Sequence, residues 1–194
     1  MTVADKVTSM RLVLAPLFFI IYLLPNFFPA AFAVNGVSWT VPVLWILFIV
    51  SEITDMLDGI IARKRGEVSE FGKLYDPFAD TLTQITFFFC FVIDGIFPPL
   101  LFLAVLYREF SILFVRNRML KKGVVMGARM GGKIKTVTYI AAAALALFYS
   151  GLHRLNAAES LQPVFKIVVI AVFGVSVLFS VLSFFDYLHV YRKA

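Results

Sequence analysis

Four aspartates, Asp55, Asp58, Asp76 and Asp80, lie in one short stretch of a strongly apolar chain. A charge at the centre of a lipid bilayer costs about 2.5–3.5 kcal/mol, so acids in such a chain need a physical reason. Four carboxylates in one place also repel each other. Hard divalent cations such as Mg²⁺, Mn²⁺ or Ca²⁺ bind carboxylate oxygens and remove that repulsion. The pattern therefore predicts a site for one or two divalent cations.

The spacing of the aspartates predicts which elements carry them. Asp55 and Asp58 are three residues apart and Asp76 and Asp80 are four apart, so each pair lies on one face of a helix. A polar turn between the pairs makes the two helices antiparallel neighbours, which present their carboxylates to each other near the cytoplasmic membrane boundary. Pro77 either begins the second of these helices or kinks it.

Composition predicts the class of protein. Of the 194 residues, 61% are hydrophobic, against about 45–50% in soluble domains, and the mean hydropathy is +0.91. We therefore expect an all-α integral membrane protein, with residues 1–194 forming a single domain. The one cysteine, Cys90, allows neither an internal disulfide nor a cysteine-based metal site.

Hydrophobic runs of about 17–25 residues mark membrane-spanning helices. The chain has six such runs, which predict spans at Leu12–Phe28, Val41–Ile61, Phe78–Phe97, Pro99–Val115, Val137–Leu152 and Val164–Tyr187. The two aspartate pairs fall on the second and third.

The distribution of basic residues predicts the orientation. The formal net charge is +6, and all of the 18 lysines and arginines except Arg154 and Lys166 fall on one side of the predicted spans. Because cytoplasmic loops carry the excess of basic residues, both termini are expected in the cytoplasm. We expect a multi-pass protein of the inner, cytoplasmic membrane, and we do not expect a nucleic acid partner.

The aspartates belong to a longer pattern, D-x2-D-G-x2-A-R-x8-G-x3-D-x3-D. It resembles the signature of the CDP-alcohol phosphotransferase family at eight positions, namely Asp55, Asp58, Gly59, Ala62, Arg63, Gly72, Asp76 and Asp80. The resemblance implies an enzyme of phospholipid biosynthesis in which a CDP-linked lipid, CDP-diacylglycerol, donates its phosphatidyl group to an alcohol and CMP leaves. It also implies a cytoplasmic active site, six spans and a homodimer.

The resemblance further implies a role for each motif residue. Two divalent cations, Mg²⁺ or Mn²⁺, are expected on Asp55, Asp58, Asp76 and Asp80, and Asp80 is the expected general base. The CDP-lipid site is expected to contain Gly59, Ala62, Arg63 and Gly72, with the small residues making room for cytidine and Arg63 contacting the diphosphate.

Two motifs in the second half resemble the phosphatidylglycerophosphate synthase branch of that family. They are R-E-x6-R, from Arg108 to Arg116, and G-K-x-K-T, which contains Lys133 and Lys135. The acceptor in that branch is glycerol 3-phosphate, and these four cations would bind its phosphate near the metal site. The residues Thr8-x2-Arg11 and Pro16 also fit the branch.

The chain departs from the branch pattern at Thr81, Tyr75 and Tyr139, where Lys, Leu and Gln are usual, and an amino-terminal Asn is absent. Thr81 removes a positive charge, which keeps less charged acceptors open, such as inositol, choline, serine or a second phospholipid, phosphatidylglycerol. Inositol phosphate is another alternative acceptor. A CDP-choline or CDP-ethanolamine donor with diacylglycerol is a further alternative. An alternative of another class, a divalent-metal transporter, would spread polar groups through the bilayer midplane in repeated halves, whereas these acids cluster towards one face.

Overall fold

The computed structural model describes residues 3–28, 33–34, 37–65, 70–121 and 130–193. These residues form six α-helices: α1 (Val3–Phe27), α2 (Thr40–Arg65), α3 (Glu70–Ile93), α4 (Pro99–Lys121), α5 (Met130–Arg154) and α6 (Gln162–Lys193). A short 3-10 helix at Glu159–Leu161 precedes α6. The strands β1 (Ala33–Val34) and β2 (Val37–Ser38) pair antiparallel. The prediction of an all-α fold is confirmed. The pair of two-residue strands was not predicted.

The third predicted helix has different ends in the structure. It begins at Glu70 rather than at Phe78, so part of the predicted polar turn is helical, and Pro77 lies inside the helix instead of beginning it. The helix ends at Ile93 rather than at Phe97. Gly95 follows with a positive φ of 64°, a conformation that glycine adopts readily and that ends a helix by folding the chain back on its last carbonyls.

Within the described residues, three helical segments are long and apolar enough to cross a membrane. They are Lys6–Phe27, Gly131–Arg154 and Glu159–His189, and they correspond to the first, fifth and sixth predicted spans. The helices α2, α3 and α4 correspond to the other three spans and carry the acids and Arg108. That these three helices also cross the membrane stays a prediction.

The contacts within the chain divide it into two compact units, Met1–Cys90 and Phe91–Ala194. The first unit holds α1, α2 and most of α3. One buried ring from each helix, Phe18, Phe48 and Phe87, forms its core, with ring centroids 4.5 Å apart for Phe18 and Phe87 and 5.5 Å apart for Phe48 and Phe87. Tilted aromatic contacts of this kind each contribute about 0.5–1.5 kcal/mol beyond area burial, so α1 is firmly held against the helices that carry the aspartates.

The second unit contains α4, α5 and α6, and α6 packs on both of the others. The ring of Phe97 stacks on that of Phe173 at 3.8 Å. At the start of α5, a Cβ placed on Gly131 would lie 3.4 Å from the Cβ of Ser183. Small residues allow helices to approach closely in membranes, and here they bring the start of α5 against the end of α6. The single domain predicted for residues 1–194 stays a prediction.

Candidate active site

In the first unit, one buried arginine joins an aspartate of α2 to an aspartate of α3. Arg11, on α1, is 1% exposed; its Nη1 donates a hydrogen bond to Oδ1 of Asp55 and lies 4.0 Å from Oδ1 of Asp80. The two carboxylates themselves are 39% and 41% exposed. The structure therefore brings Asp55 and Asp80 to one cation while leaving both accessible to a ligand.

Asp76 is contacted from the same part of α1. The buried hydroxyl of Thr8 donates a hydrogen bond of 2.8 Å to Oδ1 of Asp76. The adjacent Ser9 forms a hydrogen bond of 2.8 Å with the hydroxyl of Tyr75. Thus one turn of α1 contacts three motif aspartates on two other helices. The sequence motif Thr8-x2-Arg11 pointed to this turn only through its resemblance to the family, and gave no indication of these contacts.

A further acid lies beside the motif. Glu52 is half-buried and interacts electrostatically with Asp80, Asp55 and Arg11. It was not among the predicted site residues. The sequence did contain a signal for Glu52. This residue precedes Asp55 and Asp58 at the same interval of three residues, which places successive members of the series on one side of α2.

The oxygen donors in this unit suit a hard divalent cation. Asp55, Asp76 and Asp80 offer carboxylates, which Mg²⁺ and Mn²⁺ prefer, and Thr8 restrains one of them. No group of three or more His, Cys, Asp or Glu side chains with the spacing of a metal site is found among the described residues. Four of the predicted site residues, Asp58, Gly59, Ala62 and Arg63, lie outside the part of the chain whose surroundings the structure describes. Gly72 is buried in α3. The four-carboxylate ligand set stays a prediction.

In the second unit, Glu109 joins two of the predicted acceptor-binding cations. Its Oε1 lies 2.9 Å from Nη1 of Arg108 and 3.1 Å from Nζ of Lys135. Arg108 also donates from Nε to the carbonyl of Ser180 and from Nη2 to Oγ of Ser183, both at 3.1 Å. All three charged side chains are buried, and buried charges are stable only when they are paired and hydrogen-bonded in this way.

The other two predicted cations are placed differently. Arg116 is half-buried; its Nη2 donates to the hydroxyl of Tyr187 at 3.4 Å, and its guanidinium carbon lies 5.7 Å from the centre of the Tyr187 ring. Lys133 is exposed. The structure thus unites Arg108 with Lys135 and gives Arg116 an aromatic partner; among the residues that it describes, no contact joins Lys133 to this group.

The residues that depart from the branch pattern have defined surroundings. Tyr139 is buried; its hydroxyl donates to Oγ of Ser180 at 2.6 Å, and Nζ of Lys135 lies 4.7 Å from the centre of its ring. Tyr75 contacts Ser9, as described above, and Thr81 is buried. The tyrosine that replaces the usual glutamine therefore offers its ring to Lys135 and its hydroxyl to Ser180.

Comparison with known proteins agrees with the motif. The family model of CDP-alcohol phosphatidyltransferase matches residues 1–182. A protein of Treponema pallidum named CDP-diacylglycerol–glycerol-3-phosphate 3-phosphatidyltransferase is 39% identical over 197 residues, which cover 97% of this chain and 88% of the relative. A Bacillus subtilis protein of the same name is 36% identical over 148 residues, which cover 75% of this chain and 76% of the relative. With its motif and its near-complete match, the chain belongs to the CDP-alcohol phosphatidyltransferase family.

Proposed function

We propose that the protein transfers the phosphatidyl group of CDP-diacylglycerol to glycerol 3-phosphate and releases CMP, in phospholipid biosynthesis. The names of the two relatives describe this reaction. The observation that carries the proposal here is the convergence of Asp55 and Asp80 at Arg11, because it places carboxylates from two helices in one accessible location. Carboxylates so placed could hold the divalent cations of a two-metal phosphoryl-transfer site.

Two divalent cations, Mg²⁺ or Mn²⁺, would be held by Asp55, Asp58, Asp76 and Asp80. When bound, they would neutralise the diphosphate and the charge that develops on the departing CMP. The rest of the CDP-lipid site would be formed by Gly59, Ala62, Arg63 and Gly72. Arg63 is suited to the diphosphate because a guanidinium donates two parallel hydrogen bonds to phosphate oxygens.

The proposed chemical step is a displacement at the phosphorus that carries diacylglycerol. The acceptor hydroxyl gives its proton to the carboxylate of Asp80, and its oxygen forms a new bond to that phosphorus. The bond from phosphorus to the bridging oxygen breaks, and CMP leaves with that oxygen. Asp80 is suited to this role because it is partly exposed and lies on α3 one helical turn from Asp76, another of the proposed ligands.

Glycerol 3-phosphate is the proposed acceptor because the second unit supplies cations for its phosphate. Arg108, Arg116, Lys133 and Lys135 are the proposed binding residues. Glu109 compensates part of the charge on Arg108 and Lys135, while Arg116 is half-buried and donates to Tyr187 instead of to a carboxylate. A doubly charged phosphate matches this arrangement better than inositol, choline or serine does, since charge-assisted hydrogen bonds are about twice as strong as neutral ones.

We further propose that all six helices cross the inner membrane, that residues 1–194 act as a single catalytic domain and that two copies form a homodimer. Three helices meet the length and hydropathy of membrane spans, and the asymmetry of the basic residues favours cytoplasmic termini and a cytoplasmic active site.

The direct test is CMP release by the purified protein in liposomes that contain CDP-diacylglycerol, with Mg²⁺ or Mn²⁺. Glycerol 3-phosphate, inositol phosphate, inositol, serine and phosphatidylglycerol are supplied in parallel, and CDP-choline with diacylglycerol forms a separate arm. We expect turnover with glycerol 3-phosphate alone, lost with EDTA and in Asp55→Asn but retained in Asp94→Asn. Turnover with a different alcohol would overturn the acceptor, and turnover that survives EDTA would overturn the metal-dependent mechanism.

A further inference from the structure

The contact between Thr8 and Asp76 joins residues 68 positions apart in the chain. Thr8 is fully buried on α1, and its hydroxyl donates to one oxygen of Asp76 at 2.8 Å. The hydroxyl hydrogen of Thr8 is directed at that carboxylate oxygen. The contact therefore restrains the carboxylate of Asp76 from α1.

Such restraint matters at a residue proposed to bind a cation. Hydrogen-bond partners of a metal-binding side chain orient it, and their loss typically weakens metal affinity by about 10–100-fold. Asp76 lies next to Pro77, which has no backbone N–H to donate within α3, so the helix is less restrained here and a side-chain contact from another helix adds restraint. The hydroxyl of Thr8 provides one.

We infer that Thr8 is a positioning residue for the divalent cation site: from α1 it holds the carboxylate of Asp76 in the orientation that binds the cation. The inference rests on the proposed function, in which Asp76 is a ligand. In this role Thr8 acts through Asp76 and not by binding substrate or cation itself. Its role is distinct from packing α1 against α3, because the phenyl rings of Phe18 and Phe87 already do that.

The neighbouring residue offers a matched control. Ser9 forms a hydrogen bond of the same length, 2.8 Å, between the same two helices, but its partner is the hydroxyl of Tyr75 and not a predicted ligand. A purely structural role for Thr8 would make Thr8→Val and Ser9→Ala equivalent. A positioning role would make only Thr8→Val change cation affinity.

The experiment is Mn²⁺ binding to the full-length protein in nanodiscs without substrate, followed by the electron paramagnetic resonance signal of free Mn²⁺. Thermal unfolding in EDTA is measured for each variant. We expect Thr8→Val to raise the apparent Kd for Mn²⁺ about 10-fold or more, and Thr8→Ser, which keeps the hydroxyl, to stay within about 3-fold of the unchanged protein. Ser9→Ala should also stay within about 3-fold, even if it lowers the unfolding temperature as much as Thr8→Val does.

An unchanged Kd for Mn²⁺ in Thr8→Val would overturn the positioning role. So would a loss of Mn²⁺ affinity in Thr8→Ser as large as that in Thr8→Val. If Thr8→Val does not fold, the Mn²⁺ affinities of Thr8→Ala and Thr8→Ser are compared instead. Equal affinities of these two variants would count against the inference. Asp76→Asn separates the two proposals. If Asp76→Asn binds Mn²⁺ as tightly as the unchanged protein, Asp76 is not a ligand. If Asp76→Asn loses Mn²⁺ binding while Thr8→Val keeps an unchanged Kd for Mn²⁺, only the inference about Thr8 is overturned.

Discussion

The ammonium group of Lys135 lies 3.1 Å from the carboxylate of Glu109, and both side chains are buried. Lys135 is on α5 and Glu109 is on α4, and the same carboxylate oxygen also contacts Arg108. One acid thus holds two of the four cations proposed to bind the acceptor phosphate, and it compensates part of their charge. Arg108 and Lys135 are therefore expected to contribute to stability as well as to binding.

Glu109→Gln leaves two buried cations without their carboxylate. Removing one partner of a buried ion pair typically costs about 3–5 kcal/mol, and we expect a loss of that size in the free energy of unfolding, measured by SDS titration in mixed micelles. Glu159→Gln is the control, because Glu159 is exposed in the short 3-10 helix and should change stability by less than about 0.5 kcal/mol. Equal stability of the two variants would contradict a structural role for Glu109.

Arg116→Met tests the proposed acceptor site at a cation that is less buried than Arg108 and Lys135. Hydrogen bonds to charged groups contribute about 1.5–3 kcal/mol, so we expect the KM for glycerol 3-phosphate to rise about 10-fold or more. The KM for CDP-diacylglycerol should change little. Arg118→Met is the matched control, since Arg118 is exposed on the same helix and its guanidinium lies 5.5 Å from the ring of Phe114. A change confined to the KM for CDP-diacylglycerol would remove Arg116 from the acceptor site.

Arg11→Gln removes the buried cation that contacts Asp55. We expect the free energy of unfolding in EDTA to fall by about 1.5–3 kcal/mol, the contribution of a hydrogen bond between charged groups. Addition of Mn²⁺ should recover part of the loss, because a bound cation also compensates these carboxylates and stabilises the folded state. Lys6→Gln, which changes an exposed cation on the same helix, should have little effect. Equal stability of both variants in EDTA would show that the Arg11 contact contributes nothing.

Asp80→Asn tests the proposed general base. General base catalysis contributes about 10²–10⁴-fold, so CMP release should fall by at least about 100-fold. Binding of CDP-diacylglycerol in the presence of Mn²⁺ should be largely retained, as measured by equilibrium binding to nanodiscs. Asp94→Asn alters an aspartate that pairs with Arg154 at 3.5 Å and should keep its turnover. Normal turnover in Asp80→Asn would exclude that residue as the base.

Local pattern was enough to predict the helical class, the presence of six helices and the membership of a family. Hydrophobic runs and the spacings of three and four residues depend on the repeat of a single helix, which neighbouring residues determine. Helix ends were harder to predict: α3 includes Pro77 and begins at Glu70, because a helix held by its neighbours tolerates a proline that local propensity disfavours.

The contacts around the predicted site residues, taken within each unit, were decided by tertiary structure. Thr8 with Asp76, Arg11 with Asp55 and Lys135 with Glu109 are separated by 68, 44 and 26 residues, and no spacing within one helix encodes them. Arg11 and Lys135 have the sequence pattern of cations at the ends of membrane spans, yet both are buried against carboxylates. The sequence determined which charged residues are present, while the packing of helices determined which of them meet, because a charge buried away from water is stable only where another helix brings its partner.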